Sequence, residues 1–160
     1  MNIVLVGVGQ SLRCDDGAGM LAVQSWQSKY PWRLEHPTVR VEIEQLPGLA
    51  LLDLINDAEA AIIVDAVHSG SLAGTIHQVT LNQLSGFTSG TNTAHGWGVA
   101  ETLALGHKLY PETLPAEIIL LGIEGERFDP GDTLSPSVQR NLPTLVEQIE
   151  ENIQRLIAAV

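Results

Sequence analysis

Three runs of apolar, largely β-branched residues constrain this chain most: NIVLVGV (2–8), AAIIVDAV (60–67) and AEIILLGI (116–123). None alternates with polar residues, so each predicts a strand covered on both faces, as in a parallel sheet. Parallel neighbours need crossover connections, and helical patterns fill the intervals. Helices are expected from Asp16 to Tyr30, over 49–58, from His95 to Leu109, and over 136–158 with Ser135 or its neighbours as the cap. VRVEIE (39–44) and GTIHQVTL (74–81) alternate strictly, as half-exposed strands do. The short HSGSLAG link predicts a hairpin between the second of these and the strand before it. Together these patterns predict one α/β domain over residues 1–160. Its expected architecture has three layers, with a twisted, mostly parallel sheet of about five strands flanked by helices.

Charge narrows the partners. The chain carries eight Lys and Arg and a net charge of −11, which argues against nucleic acid, because phosphates must be neutralised by cations. An anionic membrane surface is disfavoured for the same reason, and no apolar run approaches the ~20 residues that cross a bilayer. The first residues, MNIVLVGVG, lack a basic segment and read as a first strand, not a signal peptide. Cys14 is the only cysteine, so no internal disulfide can form. That fits a reducing cytoplasm, the expected location. No heptad pattern argues for assembly, and a monomer is expected.

The first strand runs into LVGVGQSLRCDDGAG (5–19). As a dinucleotide fingerprint this fails, since Leu12 stands at the third glycine position and two carboxylates occupy the turn where a pyrophosphate would approach. In an open parallel sheet, ligands gather beyond the C-terminal ends of the strands. Asp15 and Asp16 follow the first strand, Asp65 lies near the end of the second apolar strand, and His95 starts a helix after a polar loop (85–94). Carboxylates and an imidazole converging there would suit a divalent transition metal, or acid–base work. Structural roles compete with that reading. Asp15 or Asp16 can cap the first helix, with Asp15 the better cap. Asp65 can accept loop amides, and His95 can bond its own loop. His68, three residues beyond Asp65, rivals His95, whereas His77 is expected to face solvent.

VGVGQSLRCDDGAG, IIVDAVHSG, TAHGWGVAETLAL and GIEGERFDPGDTLSPSV, in that order, resemble the maturation endopeptidases of nickel-iron hydrogenases. By this resemblance the family's metal-contacting acid of the first motif matches Asp16, its second acid Asp65 and its histidine His95. The resemblance implies an endopeptidase that removes the C-terminal extension of a [NiFe]-hydrogenase large-subunit precursor after nickel insertion. Nickel would be presented by the precursor, with no permanent metal in the protease. Two departures stand out. Asp16 replaces the Glu of well-known members, and Glu44 or Gln45 occupies the neighbourhood where some members carry an Asp. A non-cleaving chaperone that checks the precursor for nickel would use the same three residues. A nucleotide enzyme using Gly7 and Gly9 is the third reading.

Overall fold

In a computed structural model, residues 1–35, 38–84 and 98–159 are described. The expected loop 85–94 and His95 lie outside these residues. Among the described residues, five strands form one sheet in the order β2-β1-β3-β5-β4: β1 (Ile3–Val8), β2 (Val39–Glu44), β3 (Ala60–Val67), β4 (Ile76–Thr80) and β5 (Glu117–Glu124). β2, β1, β3 and β5 run parallel, and β4 pairs antiparallel to β5. The sheet is therefore mostly parallel, as the apolar runs predict.

β1, β3 and β5 are buried on both faces because their successive side chains serve two separate cores. Ile3, Leu5, Ile62, Val64, Ile119 and Leu121 pack under α1 (Ala18–Lys29) and α5 (Pro136–Ala158). Their alternates Val4, Val6, Ala61, Ile63, Ile118 and Leu120 pack under α2 (Ala50–Ile55), the short α3 (Leu81–Leu84) and α4 (Gly98–Leu109). This two-residue alternation within uniformly apolar strands makes the three layers. In α5 the apolar residues recur as Val138, Leu145, Val146, Ile149, Ile153 and Leu156, the spacing that builds one buried stripe. Buried Glu150 on that stripe takes hydrogen bonds from Trp26 Nε1 (3.0 Å), Arg33 Nε (3.0 Å) and Gln154 Nε2 (2.9 Å), which joins α5 to the end of α1.

Two expectations change. The second alternating strand does not form a hairpin with β3; Ile76–Thr80 lies on the far side of β5, in register Ile76↔Ile123 to Thr80↔Ile119. Alternation specifies a half-covered edge but not its neighbour. The first helix is also shorter at its start: Cys14–Gly17 is a 3-10 turn, and α-helix begins at Ala18. Of the helix expected from His95, Gly98–Leu109 is α4 and residues 95–97 lie outside the described residues. No helix among the described residues is long and apolar enough to cross a membrane.

Gly19 sets how closely α1 approaches the sheet. A Cβ there would stand 2.3 Å from the Val64 carbonyl oxygen and 2.5 Å from that of Val8. Backbone cannot yield as a side-chain tip can, so Gly19→Ala is expected to destabilise by roughly 3 kcal/mol. Denaturant unfolding measures this; an unchanged midpoint would contradict the packing described.

Candidate active site

The sheet order places a switch point between β1 and β3. From β1 the chain crosses through α1 to β2 on one side, and it returns through α2 to β3 on the other. The connections leave β1 and β3 on opposite faces, and a crevice opens beyond their C-terminal ends. A cleft of about 610 Å³ occupies this position, lined by Val8, Gly9 and Gln10 after β1 and by Asp65 and Ala66 of β3. Leu46, Pro47, Leu51 and Val99 form an apolar wall, and Arg13, His68 and Phe128 line it as well.

Asp16 reaches this cleft because the chain turns sharply after β1. Gly9 has φ +143°, and a Cβ on it would lie 1.8 Å from the Asp16 carbonyl oxygen. Only glycine allows the two segments so close. The half-buried Asp16 carboxylate accepts the Gln10 backbone N–H through Oδ2 at 3.0 Å. One bond on one oxygen leaves the rest of the carboxylate open to a ligand.

Its neighbour does different work. Asp15 is fully buried. Its Oδ2 accepts the backbone N–H groups of Glu126 (2.8 Å) and Arg127 (2.9 Å), and its Oδ1 that of Ser135 (2.7 Å). Burial pushes its carboxyl up, but the N–H groups of Ser135, Glu126 and Arg127 outweigh burial and hold it below the usual carboxylate value. Asp15 is thus not the expected cap of α1; it anchors the loop between β5 and α5 instead. The N-cap of α1 is Gly17, without a side-chain bond.

Asp65 is the third residue from the end of β3, on the same face as Ala61, Ile63 and Val67, so it faces the α2–α4 side where the cleft lies. Its carboxyl is pushed up to about 8, first by burial and then by the Asp16 carboxylate; the Ala66 N–H opposes this only in part. Two carboxylates at one cleft, one of them holding a proton at neutral pH, form a pair ready to release that proton to a base or to exchange it for a cation.

The structure therefore brings Asp16 and Asp65 together, while His95 lies outside the described residues. The described chain resumes at Gly98, which lines the cleft. Among the described residues no group of three His, Cys, Asp or Glu side chains could hold a metal. At the end of β2, Gln45 lines the cleft. Glu44 instead gives its carbonyl oxygen to the Gly9 N–H at 3.0 Å. His68 lies in the cleft wall, edge-on to Phe128 with ring centroids 5.5 Å apart. His77 does not face open solvent: its Nε2 lies 3.2 Å from Oε2 of Glu124, a buried carboxylate that also takes the N–H groups of Ser69 (2.7 Å) and Gly70 (3.0 Å). Arg13 and Phe128 were not among the expected site residues. Both come from segments without a periodic pattern, and 115 residues separate them.

Comparison with known proteins supplies the family. The family model described as Hydrogenase maturation protease matches residues 46–152, more than half of the chain. That span includes Asp65 and His95 but leaves Asp16 to the geometry. The chain is similar to the hydrogenase expression/formation protein HupD of Thiocapsa roseopersicina, with 26% identity over 93% of this chain and 66% of that protein. It is similar also to HoxM of Azotobacter vinelandii, with 27% identity over 99% of this chain and 75% of that one. It thus spans about two thirds to three quarters of the length of these relatives. In structure it resembles the hydrogenase maturating endopeptidase HybD from Escherichia coli, with a TM-score of 0.75 at 23% identity over 97% of this chain and 93% of that one, which shows the shared fold. By the family match, this chain belongs to the hydrogenase maturation proteases.

Proposed function

We propose that the protein is an endopeptidase that removes the C-terminal extension of a [NiFe]-hydrogenase large-subunit precursor, and that it does so by engaging nickel already held in that precursor. The observation that carries this is the pairing of Asp16 and Asp65 across one cleft at the β1/β3 switch point, in a chain of this family. Asp16, Asp65 and His95 would complete the coordination of the substrate's nickel. A divalent metal so placed polarises a neighbouring carbonyl or lowers the pKa of a water.

The residues of the chain prepare for such a cargo. Without a cation, Asp65 keeps its proton, because burial and the Asp16 charge oppose ionisation. An arriving cation reverses both effects, so Asp65 ionises as the precursor docks and its proton leaves. The site is thereby closed to charge until the correct substrate brings it. Once ionised, either carboxylate is positioned to take a proton from the attacking water. The apolar wall of Leu46, Pro47, Leu51 and Val99 gives the tail a dry surface beside the carboxylates. The single cysteine suits a reducing cytoplasm, and the proposed working form is a monomer.

Asp16→Ala tests the assignment. Mass spectrometry of a nickel-loaded precursor should detect loss of a short C-terminal peptide with wild type, and a rate at least ~10²-fold lower with the variant. Equal cleavage by both would reduce Asp16 to a turn residue. An intact precursor bound stably to wild type would replace the protease with a nickel-checking chaperone.

A further inference from the structure

Among the described residues, Arg13 is the one Lys or Arg lining the cleft. Lys29, Arg33, Arg40 and Arg127 each pair with a carboxylate, whereas Lys108, Arg140, Arg155 and Arg13 show no ion pair among the described residues, and of these four only Arg13 lines the cleft. Its guanidinium is nevertheless fixed: Nε and Nη2 donate to the Phe128 carbonyl oxygen at 3.2 and 3.1 Å. A guanidinium carries five N–H groups, so both hydrogens on Nη1 and one on Nη2 remain to be used.

The turn beneath Arg13 is held just as firmly. Cys14 has φ +47°, a conformation rare for a residue with a Cβ. Its N–H donates to the Gly131 carbonyl at 2.9 Å, and the Gly131 N–H donates to the Leu12 carbonyl at 3.0 Å. A strained backbone clamped from both sides positions what it carries. It carries a cation on one side and, three residues later, Asp16.

We propose that Arg13 is a specificity-determining residue that receives a carboxylate of the precursor's C-terminal tail. This rests on the protease reading. A peptide offers two kinds of anion, an Asp or Glu side chain and the terminal carboxylate, and a guanidinium fork suits either. The Asp16 carboxylate on the other side of the cleft repels such a group, so it docks at Arg13 and the tail crosses the turn toward Phe128. The geometry sets the tail's direction and keeps its anion away from the carboxylate pair.

Cleavage kinetics of Arg13→Gln test this, since glutamine can still donate to Phe128 but carries no charge. Three nickel-loaded precursors serve as substrates: native, one with tail Asp and Glu changed to Asn and Gln, and one with a short Gly-Ser extension that displaces the terminus. On the native precursor KM should rise about tenfold with kcat retained. Arg13→Lys should recover part of the loss, and both variants should melt as wild type does. The penalty should vanish on the one altered substrate that lacks the contacted carboxylate, which identifies its source. An unchanged KM on the native precursor, or the same rise on all three, overturns the proposal and leaves the protease standing. No cleavage by wild type overturns the protease reading itself, and this one with it.

Discussion

Asp65→Asn is expected to abolish cleavage and, in the same protein, to raise the melting temperature at alkaline pH. The catalytic effect follows from its place at the cleft beside Asp16. Removing a metal-contacting carboxylate or base lowers rates by ~10³-fold or more. The stability effect has the opposite sign. The folded-state value of about 8 lies above the ordinary 3.8, so between these pH values the folded protein holds a proton that the unfolded chain has lost. Stability therefore falls as pH rises from near 4 to near 8, and the full penalty remains above that. Asparagine has the same shape and no proton to lose. Solvent reaches the half-buried Asp65 and screens part of the shift, so the gain at pH 9 is about 2 kcal/mol, or ~5 °C. Near pH 4 the two proteins should melt together. Scanning calorimetry at both pH values decides the matter, and a variant less stable than wild type at pH 9 would remove the charge conflict from the account.

Asp15→Ala, one residue from Asp16, should do the reverse. Three backbone N–H groups of the β5–α5 loop lose their acceptor. Leaving buried donors unpaired costs about 4 kcal/mol here, or roughly 10 °C in melting temperature. Because the folded-state value lies below the ordinary one, the stabilisation from Asp15 is present above pH 4 and disappears as pH falls through its folded value. The wild type should accordingly lose an acid-side increment of stability that Asp15→Ala lacks. Asp15→Asn would rescue little, since its amide NH₂ turns a donor toward donors. If Asp15→Ala instead melts like wild type, the loop is held by other contacts and the division of labour within the acidic pair is wrong.

That division was the least legible part of the sequence. DD reads as one cap and one ligand, and the allotment of Asp16 to the cleft agrees with the structure. Where Asp15 turns, however, depends on a 3-10 turn and on N–H groups more than a hundred residues away. No local pattern carries that information. The parallel strands were legible because burial on both faces demands unbroken apolar runs. The position of β4 was not, because an alternating strand fits any half-covered edge, and its partner is decided by where the β3–β4 link is pinned. The buried Glu124 does that pinning, holding Ser69, Gly70 and His77 at the end of β5. A glutamate at the end of an apolar strand gives little warning of it. Asp65 was legible because a lone acid in AAIIVDAV is costly without a purpose. Arg13 was not, since its role depends on the Phe128 carbonyl and not on neighbours in sequence.

In the proposed reaction the carboxylate pair acts on nickel brought by the substrate. Its most direct test is a paired digestion. One precursor preparation is divided, half loaded with nickel and half kept nickel-free, and each half is incubated with wild-type protein and weighed intact by mass spectrometry. Only the loaded half is expected to lose a C-terminal peptide. Equal shortening of the nickel-free half would mean that the Asp16–Asp65 pair cuts without the substrate's metal, and would contradict it.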